Sequence, residues 1–375
     1  MMNKTRIFVG LLMALLFSMC TSPKQQGEGL PVLNVADALD AALPDTFTWN
    51  SIAKNVRMIP LKTEQLIGRH LNVRYFSDDM IIISELPSNR ISVFDGEGQE
   101  IVSFNHCGPG PKEYLYATNI NYNKNDSLIL LYDGFQDKLF RFDLEGKFVD
   151  VRPANTGGVV LNIDSDGNMF SVNREGDSFV KVWDSNLRLL GEYLPFDTLY
   201  TDGQKVSLYL MSGKETGSAT LRVLPVCNDT VYTITKEGAN PFCIVNRGSY
   251  KCAPEDLNNM MDVRDSRDYL NSEKIYSFSS YLCYMTQSHS VMQLWDMRTG
   301  ELVAWDRGER ERVGDTFKTI WGFRYVFPSG NEFRELCFDY VSQNCGVFIR
   351  QADECVDDVP GLTADDNPVL IVLEF

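Results

Sequence analysis

Three histidines are the scarcest chemically versatile groups in this chain: His70, His106 and His289. Zinc-assisted lyase chemistry needs imidazoles converging on one ion, and these three share no ligand spacing. Carboxylates are abundant, 51 Asp and Glu against 35 Lys and Arg. A calcium site of Asp, Glu and Asn is therefore open on composition, although loop carboxylates are usually just solvated. No Gly-x-Ser-x-Gly elbow and no phosphate-binding loop occurs. The densest run of constrained and polar residues is Gly108-Pro109-Gly110-Pro111-Lys112-Glu113-Tyr114, preceded by Asn105 and His106. Glycine and proline fix its backbone shape, and its polar groups suit a ligand. The plainer reading is an ordered crossover, with Tyr114 packed between elements and Glu113 accepting backbone N–H groups.

What must position these residues is a repeat. Val93-Phe94-Asp95-Gly96-Glu97-Gly98 returns as Arg141-Phe142-Asp143-Leu144-Glu145-Gly146. It returns more loosely at Val182-Trp183-Asp184 and Leu294-Trp295-Asp296. Each copy separates two β-runs, at a spacing of about 40 to 50 residues, the mark of a β-propeller. Aspartate accepting N–H bonds and glycine at positive φ make each copy a hairpin turn. The units span about 70–104, 117–152, 159–193, 205–247 (with an insertion near 212–217) and 275–306, and a sixth begins near Thr319. Pro254 and apolar residues at helical spacing predict a short surface helix near 254–272. The expected fold is all-β: six blades of four antiparallel strands over residues 30–375. Residues 30–35 are expected to complete the last blade outside 367–375 and so close the ring. Deleting 31–35 should then destabilise the whole domain.

Residues 1–19 read as an export signal, with Lys4 and Arg6 ahead of an apolar run at 7–17 that is too short to span a bilayer. Cys20 directly follows it. Residues 20–29 form a polar tether. The formal charge is −16, and losing the two positive charges of Lys4 and Arg6 takes it to −18. With no basic run, nucleic-acid binding and adhesion to anionic lipid are not expected. Of nine cysteines, eight follow Cys20. Their spacings suit buried thiols better than a cystine scaffold, and their pairing is left open.

Phe94-Asp95-x-x-Gly98 followed by the Gly108–Tyr114 phrase resembles the six-bladed β-propeller lipoproteins of Bacteroidetes, relatives of NHL-type propellers. Ile59-Pro60-Leu61-Lys62-Thr63, Asn228-Asp229-Thr230-Val231-Tyr232 and Asp366-Asn367-Pro368-Val369-Leu370 extend the resemblance over the whole mature chain. It implies lipid on Cys20 and attachment to the outer membrane, on either side. An ordinary secretory signal with an incidental cysteine is the alternative.

In such a ring, loops joining strands two and three share a face with the crossovers between blades. Asn89, Arg90, Asp133, Gln136, Arg174, Glu175 and His289 would lie near the channel mouth there, beside His106, Lys112, Glu113 and Tyr114. The expected function is non-catalytic: a monomeric envelope scaffold binding a glycan, peptide or partner protein through this face, touching the membrane only by its lipid. No cofactor is required, and calcium is the one ion left open. The alternative is a calcium- or other metal-dependent hydrolase, lactonase or lyase using the axial channel.

Overall fold

Short runs of consecutive apolar residues, such as Ile81-Ile82-Ile83 and 128–132, make strands whose two faces both pack. The computed structural model describes residues 29–41, 46–173, 176–196, 221–225, 228–252, 268–270, 273–313, 316–320 and 322–375. Two strands precede the repeats, β1 (Val32–Leu33) and β2 (Asn55–Pro60). Blade one is β3 (His70–Phe76), β4 (Met80–Leu86), β5 (Arg90–Asp95) and β6 (Glu100–Phe104). Blade two is β7 (Asn119–Asn123), β8 (Leu128–Asp133), β9 (Lys138–Phe142) and β10 (Phe148–Pro153). Blade three is β11 (Val159–Ile163), β12 (Met169–Val172), β13 (Ser178–Trp183) and β14 (Leu189–Pro195). Blade four contributes β15 (Leu221–Val223), β16 (Thr230–Thr235) and β17 (Gly238–Val245). Blade five is β18 (Glu273–Phe278), β19 (Tyr281–Thr286), β20 (Val291–Asp296) and β21 (Glu301–Arg307). Two hairpins follow, β22 (Glu309–Val313) with β23 (Thr316–Ile320) and β24 (Phe323–Val326) with β25 (Glu332–Glu335). Blade six is β26 (Tyr340–Val341), β27 (Cys345–Arg350) and β28 (Val369–Glu374), with β2 outermost. The result is an all-β, six-bladed propeller.

The core is six seams, one between each pair of neighbouring blades. The period of two sends alternate residues of one strand into different seams. Ile81 and Ile83 of β4 pack toward blade six, and Ile82 packs toward blade two. On β8, Ile129 and Leu131 face blade one while Leu130 and Tyr132 face blade three. Each such side chain contributes about 1.5–3 kcal/mol on full burial, so every blade depends on both neighbours. The seam between blades five and six holds the densest aromatic packing, with Trp49 wedged against Phe278, Phe323, Phe338 and Phe348.

The repeated phrase forms the turn between strands three and four. Asp143 accepts the N–H groups of Glu145 (2.9 Å) and Lys147 (2.8 Å) on Oδ1, and Gly146 sits at φ 75°. Asp95 and Asp184 repeat the pattern.

An N-terminal strand does close the ring, but a different one from residues 30–35. Clasping falls to β2, antiparallel to β28 from Asn55↔Glu374 to Pro60↔Val369, with Arg57 ion-paired to Glu374 at 2.8 Å. Six ladder positions and a seam-facing Ile59 outweigh the two-residue β1. That strand instead lies parallel outside β17 in blade four, Val32↔Ile244 and Leu33↔Val245. The sixth blade begins at Tyr340 rather than near Thr319. The intervening β-runs form the side hairpins, and β24 is tied to the N-terminal segment by a reciprocal Asn50–Val326 pair at 2.9 Å. Most of the expected helix at 254–272 lies outside the described residues.

Candidate functional site

The crossover from β6 to β7 is folded onto two loops, 87–89 of blade one and 134–137 of blade two. The Tyr114 hydroxyl donates to the Asn89 carbonyl at 2.7 Å, and its ring is fully buried, edge-on to Phe140 and Phe142. Burial pushes this phenol well above the ordinary tyrosine range. Glu113 accepts the Gly110 N–H at 2.7 Å. A Cβ on Gly108 or Gly110 would meet the Glu113 carboxylate and push it off the Gly110 N–H.

Asp133, the last residue of β8, is completely buried and holds the two loops together. Its Oδ2 accepts Leu115 N–H at 2.6 Å and Gln136 Nε2 at 3.0 Å. Its Oδ1 accepts Phe135 N–H at 2.9 Å and Gln136 N–H at 3.2 Å. This carboxylate faces a nest of N–H donors. Gln136 completes the brace by donating to the Glu113 carbonyl at 3.0 Å and accepting Lys138 Nζ at 2.8 Å. Gly134 N–H donates to Thr118 Oγ1 at 2.9 Å.

What this framework presents outward is apolar. Phe135 is 78% exposed and Leu115 47% exposed. Tyr116 meets Phe135 edge-on at 5.8 Å and 86°. An exposed phenylalanine on a backbone fixed by four hydrogen-bonded neighbours is a platform, not a stray side chain.

The candidates read from sequence therefore separate. Glu113, Tyr114, Asp133 and Gln136 come together, and their polar groups are committed to one another or to backbone. His106 points to the rim: its Nε2–H donates to the Gly146 carbonyl at 2.9 Å and its ring stacks on Phe142. Lys112 also reaches the rim, 5.4 Å from the Phe148 ring centre. Arg90 pairs with Glu85 at 3.1 Å at the start of β5. His289 belongs to another junction, with Ser288 Oγ at 3.0 Å and the Tyr250 ring edge-on. Nearby, Arg247 makes a buried two-pronged pair with Glu273, both bonds at 2.8 Å. Arg174, Glu175 and Cys20 lie outside the described residues. Among the described residues, no group of three His, Cys, Asp or Glu gathers as a metal site.

Sequence reasoning missed Phe135 and Tyr116. A signal was present: Asp133-Gly134-Phe135-Gln136-Asp137 sets an aromatic among polar residues in a short inter-strand loop, without apolar alternation.

Fold and loop arrangement make this chain a six-bladed β-propeller with a braced, aromatic-bearing loop face. It belongs to the family described as Domain of unknown function (DUF4934), whose profile matches residues 30–374. A Bacteroides fragilis protein described as exported is similar in structure at TM-score 0.55 and 15% identity, over 87% of this chain and 96% of that one. A member of the DUF4221 family from Bacteroides vulgatus matches at 0.43 and 10%, over 86% and 97%. Virginiamycin B lyase from Staphylococcus aureus matches at 0.42 and 11%, over 85% and 99%. Likeness at such identities conveys fold alone. No protein of curated function matches the chain.

Proposed function

We propose that this protein is a non-catalytic binding propeller of the bacterial cell envelope. In this reading it is held there by lipid on Cys20 and docks a partner polypeptide or glycan on the loop face of blade two. The observation that carries the proposal is Phe135, left 78% exposed over a backbone pinned by the buried Asp133 carboxylate. Aromatics held rigidly at a surface supply contact area at low entropic cost. Leu115 and Tyr116 extend the apolar area, and Gln136 and Lys138 give it a polar rim. The export signal and Cys20 supply the location, and the exported Bacteroides fragilis relative in fold agrees with it.

The test is retention of envelope components, separated into protein and polysaccharide fractions, by the purified protein and its Phe135→Ala variant. Phe135→Ala is expected to weaken retention by about 2 kcal/mol, the size of an interface hot spot, with Tm unchanged. Equal retention by both proteins overturns the platform. The metal-dependent alternative is tested alongside: a calcium-dependent rise in Tm would favour it, and none is expected.

A further inference from the structure

A second surface lies along the outer edge of blade one. There Lys62 begins a parallel strand beside β6: its N–H donates to the Gly98 carbonyl at 2.8 Å, and Glu100 N–H donates to its carbonyl at 2.9 Å. After this one bridge the chain turns away through Thr63 to Gln65. The rest of β6, from Ile101 to Phe104, has no strand on its outer side among the described residues. Between the departing segment and this open edge runs a groove of about 530 Å³.

The same molecule shows parallel strand addition at an edge, there supplying the fourth strand of a blade. On blade four, β1 lies parallel outside β17, with Ile244 N–H donating to the Pro31 carbonyl and Asn246 N–H to the Leu33 carbonyl, both at 2.8 Å. Open edges invite strand addition, and proteins guard them with charge or proline. Asp150, Arg152 and Pro153 guard β10, and Glu192 and Pro195 guard β14. Between Ile101 and Phe104, β6 carries neither, and Ile101 is 61% exposed.

The groove is also polarised. Glu64 and Glu100 line it, Glu100 at the start of β6, and Arg90 lines it beside Asn105 at the strand's far end. Arg90 is ion-paired through Nε with Glu85 at 3.1 Å, and its Nη1 keeps a long contact to Gln65, 3.5 Å, so Nη1 is the part of the group set toward the groove. We infer that blade one binds an extended peptide by strand addition. The peptide runs parallel to β6 from the Lys62 bridge, with a basic residue against Glu100, an acidic residue toward Arg90 and an apolar residue over Ile101. Backbone hydrogen bonds supply affinity and the two charges set direction. This site is separate from the Phe135 platform.

The probe is a blocked, fluorescent pentapeptide, Lys-Val-Thr-Val-Glu, with its charge-reversed form, Glu-Val-Thr-Val-Lys, as comparison. The first is expected to bind the whole protein and to slow amide hydrogen exchange at 101–104, a readout that side-chain docking alone would not move. The reversed peptide is expected to bind about tenfold more weakly. Ile101→Lys, which guards the edge, should weaken the first peptide at unchanged Tm; Arg90→Gln should weaken it too, with some loss of Tm because Glu85 loses its partner, while Phe135→Ala should leave it alone. Equal binding of the two peptides, or binding without protection at 101–104, overturns the proposal. So does a dimer of this chain that Ile101→Lys dissociates, since a second copy would then be the occupant.

Discussion

Two aspartates on either side of β9, one closing β8 and one just past β9, do the same chemistry to different ends. Asp143 accepts two N–H groups from residues two and four positions on, and so closes a turn within its own blade. Asp133 accepts from its own loop and from Leu115, 18 residues back, and so joins a crossover to a blade. The first is half-exposed and recurs in several blades; the second is fully buried and tied to one place. A local acceptor repeats because each blade needs its turn. A long-range acceptor joins a crossover to its blade, as Glu85 also does by accepting the Gly68 N–H in blade one; at Asp133 the same bond supports the ledge under Phe135.

Substitutions on either side of β9 should part accordingly. Asp133→Ala leaves several buried N–H groups unpaired and is expected to lower stability by about 3 kcal/mol, measured by urea unfolding. Amide exchange should quicken at 115–116 and 135–136 together. If only one of those segments loosens, the bridge is not what Asp133 provides.

Alkaline titration sharpens the contrast. Beside Asp133, the Tyr132 phenol is pushed up to about 12, chiefly by burial. Below the unfolded value near 10 its proton is bound in both states and its contribution is whole. Between pH 10 and 12 only the unfolded chain releases the proton, so stability falls by up to about 2 to 3 kcal/mol as pH rises. Tyr132→Phe should reduce that slope by its own share, Tyr114 and other buried phenols keeping the rest, and Asp143→Ala should leave it unchanged. An unaltered slope in Tyr132→Phe would assign the alkaline loss elsewhere.

The smallest effect is expected from Asp143→Ala itself, about 1 kcal/mol for two partly exposed hydrogen bonds, with peptide and envelope binding intact. A loss as large as that of Asp133→Ala would erase the distinction between the two aspartates.

The same distinction governs what could be read from the sequence. Blades one to three and five were legible because their turns are encoded within a few residues: Asp95 with Gly98, Asp143 with Gly146. The clasp was not. Residues 30–35 and Asn55–Pro60 are both short β-runs, and what chooses between them is register against Val369–Glu374 and the Arg57–Glu374 pair. Blade six was set too early because the hairpins β22–β23 and β24–β25 have the composition of blade strands. At the candidate site, Tyr114 and Glu113 follow the plainer of the two readings, crossover packing and capping. Asp133 and Gln136 stood out as polar loop residues, yet they support the platform rather than form its surface. Phe135 was hidden because residue type does not report exposure; a phenylalanine in a β-rich chain is ordinarily core.

The β2 clasp also sets an order of events. Asn55 and its partner Glu374 are 319 residues apart, so the ring's last seam joins segments from opposite ends of the chain. Until β28 is free to pair, β2 has no ladder to enter, and Ile59 and the seam-facing side of β3 stay uncovered. Closing so large a loop is slow. This seam is therefore expected to form last, and contacts made after the folding transition state act on the unfolding rate, so weakening those six paired residues should shorten the propeller's lifetime more than it slows folding.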